Sequence, residues 1–191
     1  MTADSGVRGP IDTWCADRDW RWRAVLMAML VWQAVRALRD AEAWHIFRGI
    51  NFGAHEFGHL FFAFGGEWFA IAGGSAMQLI VPVGAMAAMY ATSRDWFGIA
   101  AGGTWLAAGL ADLASYIADA RAQELDLVSF SPDGGAHDWH FLLAHAGWLR
   151  HDLLIARGAR FLAVLILLAS ILAAIALFRR MAALRRETAT A

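Results

Sequence analysis

Two long stretches without a charged side chain constrain the fold of this chain more than any other feature. Residues 68–93 contain no Asp, Glu, Lys or Arg, and residues 161–178 form a run of 18 apolar residues. A helix needs roughly 20 predominantly apolar residues to cross a bilayer. Hydrophobic residues make up 59% of the chain and charged residues 17%, against about 45–50% and about 25% in average soluble domains. We therefore expect an integral membrane protein.

The other hydrophobic segments extend this prediction to an all-α, polytopic membrane bundle of about four to five transmembrane helices. Residues 43–64 and 96–120 are further candidate spans. Residues 20–40 are a fifth candidate, which either crosses the membrane or lies at its interface, because their uncharged part (24–35) is short. Spacings of small residues suit close helix packing, either within one chain or between chains, so the oligomeric state stays open.

Charge and composition divide the chain into three parts. Residues 1–19 are expected to be a polar N-terminal lead-in, 20–178 a single membrane-embedded domain with a polar loop at 121–159, and 179–191 an arginine-rich tail. Arginines close behind a span favour the cytoplasmic side. We expect a multi-pass protein of a bacterial inner membrane with its C-terminus in the cytoplasm and the lipid bilayer as its surroundings. The net charge of −1 gives no support for a nucleic-acid partner.

The sequence His55-Glu56-Phe57-Gly58-His59 lies within an otherwise apolar predicted helix. Residues four apart share one face of a helix, so the two imidazoles can bind one Zn²⁺. Glu56 is the next residue along and is placed to act as a general base on a water rather than as a ligand. The single cysteine cannot form an internal disulfide, nor a cysteine-based zinc site. The alternative is a polar helix face packed against other helices.

The segment AHEFGHLFFAFGGE, residues 54–67, resembles the zinc-binding helix of the site-2-type (M50-like) intramembrane zinc metalloproteases. The resemblance implies a membrane-embedded peptidase that cleaves membrane proteins or peptides, with an Asp from a later transmembrane helix as the third zinc ligand. Residues 109–123 hold the corresponding place, with Asp112 and Asp119 as candidates. The Asn-Pro and Asp-Gly signature of that family is absent there.

A catalytic zinc has three protein ligands and one open position. Asp119 is one candidate for the third ligand, by helix order. His137 is the other, with Asp138 and His140 as neighbours that could orient a ligand. The sequence alone does not decide between Asp119 and His137.

The segment GGEWFAIAGGS, residues 65–75, has glycines near both ends and a short apolar centre. It predicts a short strand or a re-entrant segment near the membrane surface, whose edge could accept an unfolded substrate segment by strand addition.

Two other functions fit the same residues. With seven histidines, and both HEFGH and HDWH present, the chain could be a non-haem iron oxidoreductase of the desaturase or hydroxylase kind. It could also be a non-enzymatic metal-binding membrane protein.

Overall fold

The computed structural model describes residues 9–40, 43–125 and 137–190, and the regular elements of these residues are all helices. Two single turns of 3₁₀ helix, Ala63–Gly65 and Leu149–His151, precede the fourth and the last helix. The helices, in chain order, are α1 (Pro10–Ala16), α2 (Trp20–Arg39), α3 (Arg48–Phe62), α4 (Glu67–Ser93), α5 (Trp96–Ala118), α6 (Asp138–His145) and α7 (Asp152–Ala189). The expectation of an all-α bundle is confirmed for these residues.

Three helical segments of the described chain are long and apolar enough to cross a membrane: Glu67–Ser93, Trp96–Ala118 and Leu149–Ala189. The expectation of four to five spans was therefore too high. Helix α3 has only 15 residues, which at 1.5 Å per residue reaches about 22 Å. Helix α2 has 20 residues but carries four arginines within them, at both of its ends.

The expectation of a strand or re-entrant segment at 65–75 was wrong. The chain turns at Gly66, whose φ of 92° lies in the region that favours glycine, and α4 then runs without a break through Gly73 and Gly74. These two glycines allow close helix packing instead. A Cβ added to Gly58 of α3 would lie 2.2 Å from the Gly73 carbonyl oxygen, so the backbones of α3 and α4 meet directly.

Helix α5 is the centre of the bundle, and most of its residues are buried. Small residues bring its neighbours close: Ala107, Ala108 and Ala111 pack in one cluster with Ala34 and Ala37 of α2. On another side, a Cβ at Gly103 would lie 2.1 Å from the Ser170 hydroxyl of α7. Helix α5 is therefore the rigid element against which the rest of the molecule is placed.

Two segments expected to be irregular contain helices. Within the lead-in, α1 packs on α7, with Trp14 and Cys15 buried beside Met181 and Leu184. The polar loop at 121–159 contains α6 and the start of α7, while the turn-rich residues 131–135 lie outside the described residues. Apolar side chains at one-turn spacing give both short helices a face to bury, which explains why polar composition alone misjudged them.

Candidate metal centre

The two histidines of the HExxH sequence lie on one face of α3, as their spacing predicts. Their ring centroids are 4.8 Å apart. The side chains of His55 and His59 are 12% and 27% exposed, so a small part of the pair stays open to the surroundings. Gly58 lies between them in the sequence and brings α3 against Gly73 of α4, so both rings also lie close to α4.

Asp138, at the first position of α6, completes the group. Its Oδ2 lies 2.9 Å from His55 Nε2 and 3.3 Å from His59 Nε2. Within the described residues this is the one group of three or more metal-ligating side chains, with one donor atom from each residue and all three atoms within 4.8 Å of one another.

The geometry of these three side chains fits a metal ion. Ligand atoms at the usual zinc distances of about 2.0–2.1 Å lie about 3.3 Å apart in a tetrahedron, close to the two separations between Asp138 and the imidazoles. His59 Nδ1 lies 2.9 Å from the Ala70 carbonyl oxygen, which can only accept, so Nδ1 carries the hydrogen and Nε2 is left for a metal. Two histidines, one carboxylate and an open fourth position are typical of a catalytic zinc site.

Both imidazoles lie within hydrogen-bonding distance of the Asp138 carboxylate. The hydrogen bond with Asp138 raises the pKa of His59 against the opposing effect of burial, and the negative charge of Glu56 acts in the same direction. Burial alone would raise the pKa of Asp138, but its hydrogen bonds with His55 and His59 outweigh burial and hold that pKa below its usual range.

Glu56 is half-buried on α3, beside the ligand face. In the described part of the chain no side chain hydrogen-bonds its carboxylate, which leaves both oxygens available as acceptors. A general base needs such free acceptor oxygens.

The two third-ligand candidates of the sequence analysis contact each other instead of His55 and His59. His137 Nε2 lies 3.2 Å from Asp119 Oδ2. Asp119 also ends α5, where its two carboxylate oxygens accept from the backbone N–H groups of Glu124 and Leu125. Burial lowers the pKa of His137 more than the hydrogen bond with Asp119 raises it, so this imidazole is neutral near pH 7.

Asp112 is the other acidic candidate from α5, and it belongs to a separate polar cluster. This cluster contacts α3 at Asn51, one helical turn before His55. The Asp112 carboxylate oxygens lie 2.9 Å from His45 Nε2 and 2.9 Å from Asn51 Nδ2. Trp105 Nε1 donates to the Asn51 side chain at 2.7 Å. Because Asn51 precedes His55 by four residues, this cluster sets the position of the metal-binding face of α3 against α5.

The remaining histidines do not join the group. His140 Nδ1 and His145 Nδ1 lie 2.8 and 2.9 Å from backbone carbonyl oxygens, of Ala120 and Phe141 respectively. The sequence analysis placed Asp138 only as a neighbour that orients a ligand. Its one sequence signal is its place in His137-Asp138-Trp139, next to a candidate ligand, and that signal does not distinguish a ligand from a helix cap.

Gly74 of α4 forms the wall behind the two imidazoles. A Cβ at this position would lie 2.7 Å from His59 Nε2 and 2.8 Å from His55 Nε2. We expect Gly74→Ala to weaken metal binding by about tenfold or more, because the methyl group displaces both ligand nitrogens. Metal affinity measured by competition with a chelator tests this. Gly84→Ala is the matched control on the same helix, since nothing lies within 4 Å of its added Cβ. Equal affinities of the two variants would contradict the prediction.

Comparisons with protein-family models, with curated proteins and with solved structures found no match to this chain.

Proposed function

We propose that this chain is a membrane-embedded zinc metallopeptidase. The observation that carries the proposal is the convergence of Asp138 of α6 with His55 and His59 of α3, and Glu56 follows His55 on the same helix. The resemblance of residues 54–67 to the site-2-type metalloproteases supports the same reaction. His55, His59 and Asp138 would hold the ion, and Glu56 would be the catalytic base.

The residues of this chain divide the reaction among them. A zinc ion held by the three ligands would polarise a water molecule and the scissile carbonyl group. Glu56 would accept the proton of the attacking water and pass it to the leaving amine as the peptide bond breaks. The substrate must present an unwound peptide bond, because a helix keeps its carbonyl groups in internal hydrogen bonds. The proposed substrate is therefore a membrane protein or peptide with a locally extended segment.

The surroundings of the site support a substrate that approaches through or beside the membrane. Large hydrophobic side chains are exposed on α3, on the turn after it and at the start of α4. They are Phe57, Leu60, Phe61, Phe64, Trp68 and Phe69. Exposed apolar surface of this extent is stable against lipid or an apolar partner. With α4 helical from Glu67, strand addition at 65–75 is not part of the proposal.

The site and the arginine-rich tail lie at opposite ends of the bundle. Helices α5 and α7 are antiparallel, with Phe97 packed on Phe178 at one end and Arg121 paired with Asp152 at the other. Tyr116, in the last turn of α5, accepts a hydrogen bond from the Asp138 backbone N–H. Together with the positive-inside tendency, this arrangement supports the proposal of a cytoplasmic C-terminus and a metal centre toward the outer face of a bacterial inner membrane.

This orientation predicts one-sided labelling of a cysteine. His145 is exposed at the site end of the bundle, whereas the native Cys15 is buried and gives little background. We expect His145→Cys in intact bacterial cells to react with a membrane-impermeant maleimide, and Arg186→Cys in the tail to react only after lysis. The reverse pattern would place the metal centre on the cytoplasmic side.

Metal analysis of the purified protein tests the functional proposal. We expect about one zinc per chain by mass spectrometry, and its loss in His55→Ala/His59→Ala. We also expect the wild type to cleave a transmembrane peptide with a locally extended segment, and only when zinc is bound. If the carefully purified wild-type protein contains no metal, the proposal is overturned, and the HEFGH sequence is a polar helix face packed against other helices.

The iron oxidoreductase remains the second candidate for one reason. Two histidines and one carboxylate are also the donor set of mononuclear non-haem iron(II) oxygenases. About one iron per chain, with no hydrolysis of peptides, would favour this reading. Glu56 distinguishes the two, since a peptidase needs its carboxylate and iron chemistry at the other three residues does not.

A further inference from the structure

The position of Asp138 depends on the first turn of α6, and that turn is held to the bundle by consecutive hydrogen bonds. The His137 imidazole contacts Asp119, the Asp138 backbone N–H donates to Tyr116, and Trp139 Nε1 donates to the Ser75 hydroxyl at 3.0 Å. Helix α6 has only eight residues. A helix this short is not stable by itself, so these bonds decide where the Asp138 carboxylate lies.

The two nitrogens of His137 have different and complementary roles. Nδ1 accepts from the His140 backbone N–H at 3.2 Å and thereby caps the start of α6. A nitrogen that accepts carries no hydrogen, so in the neutral ring the hydrogen is on Nε2. Nε2 must then donate to Asp119, which lies 3.2 Å away. One tautomer therefore caps α6 and ties its first turn to the end of α5.

Asp119 is the fixed point of this contact. Its Oδ1 accepts from Glu124 N at 2.9 Å, and its Oδ2 accepts from both Leu125 N and His137 Nε2 at 3.2 Å. Three donors converge on one carboxylate that is 9% exposed. An ionised carboxylate is suited to this place because it has acceptors only.

We propose that Asp119 and His137 are positioning residues, which set the metal affinity of the centre by holding Asp138 against His55 and His59 without binding the ion themselves. This inference rests on the metal centre of the proposed function, but not on peptide hydrolysis. It assigns a role to two residues that the sequence alone also allows as a third metal ligand.

Substitutions of His137 separate its two hydrogen bonds. The amide oxygen of Asn occupies the place of Nδ1, so His137→Asn keeps an acceptor for the α6 cap but loses the donor to Asp119. The amide nitrogen of Gln reaches the place of Nε2, so His137→Gln keeps that donor and loses the cap. We expect His137→Asn and Asp119→Ala each to weaken zinc binding by about tenfold or more, and His137→Gln to stay close to the wild type.

A double-variant cycle tests whether the two residues act together. We call the hydrogen bond between His137 and Asp119 a clamp if it holds Asp138 in place. In that case His137→Asn/Asp119→Ala weakens zinc binding no more than either single substitution does. Bound Co²⁺ supplies a readout that general loosening does not change, because its absorption spectrum reports the coordinating atoms. We expect an altered spectrum for His137→Asn and an unaltered one for His137→Gln.

Arg121→Met is the matched control for lost stability at the same end of the bundle. It removes the ion pair with Asp152, which joins the segment after α5 to the start of α7 and includes neither His137 nor Asp119. We expect a lower unfolding temperature with unchanged zinc affinity and an unchanged Co²⁺ spectrum. The clamp alone would be overturned if His137→Asn and Asp119→Ala both bind zinc as tightly as the wild type. It would also be overturned if His137→Gln loses as much zinc affinity as His137→Asn. A wild-type protein that binds no metal would overturn the clamp and the proposed function together.

Discussion

Replacing Glu56 by Gln should leave about one zinc bound per chain and lower the rate of peptide cleavage by about 10²–10⁴-fold, the usual contribution of a general base. The amide has nearly the same size as the carboxylate, so α3 and the metal ligands keep their places. It cannot accept the proton of the attacking water. Metal content by mass spectrometry and cleavage of a transmembrane peptide measure the two effects on one preparation.

Glu67→Gln is the control for the loss of a negative charge near the same turn. Glu67 begins α4 and is exposed, so its substitution should change neither metal content nor rate. A Glu56→Gln variant that cleaves as fast as the wild type would remove Glu56 from the mechanism and end the peptidase proposal. The metal centre could then still be correct, and the hypothesis of a non-haem iron oxidoreductase would gain support.

Removing the carboxylate of Asp138 is expected to have the largest effect on metal binding among single acidic substitutions. Asp138→Ala deletes the ligand atom that lies nearest to both imidazole nitrogens. Loss of a residue that merely orients a ligand costs about 10–100-fold in affinity, so loss of the ligand itself should cost more than about 100-fold. Competition with a chromogenic chelator measures the dissociation constant directly.

The order of the acidic variants distinguishes the arrangement in the structure from the one that the family resemblance implies. We expect Asp138→Ala to bind zinc more weakly than Asp119→Ala, and Asp17→Ala, an exposed residue after α1, to match the wild type. If Asp119→Ala loses zinc and Asp138→Ala retains it, Asp119 is the third ligand and the pairing of Asp138 with the imidazoles belongs to the metal-free protein only.

The two polar clusters of the bundle give α3 two separate points of attachment. Asn51 is tied to Asp112 on α5, and His55 one turn later is tied to Asp138 on α6. Polar side chains inside a membrane protein are costly unless they are paired. The first cluster therefore fixes the register of α3 before any metal binds, and the second is the part that a metal ion would take over.

The local features of this chain were readable from the sequence because they depend on neighbours within a few residues. Three of the predicted spans correspond to apolar helical segments of the structure: 68–93 to Glu67–Ser93, 96–120 to Trp96–Ala118, and 161–178 to part of Leu149–Ala189. The shared face of His55 and His59 follows from 3.6 residues per turn. Hydropathy also identified helices long and apolar enough to cross a membrane, since apolar length is a property of a segment alone.

The contacts between distant segments could not be read in this way. Nothing near Gly73 and Gly74 indicates that they lie against Gly58 and the imidazoles rather than breaking a helix, because a glycine that permits close packing and one that ends a helix look the same in sequence. The choice of Asp138 over Asp119 and His137 depends on how α6 docks across the end of α5. Sequence alone determined that two imidazoles share one face of α3; only tertiary packing decided which carboxylate lies beside them, since donor atoms from separate helices converge only when those helices are in place.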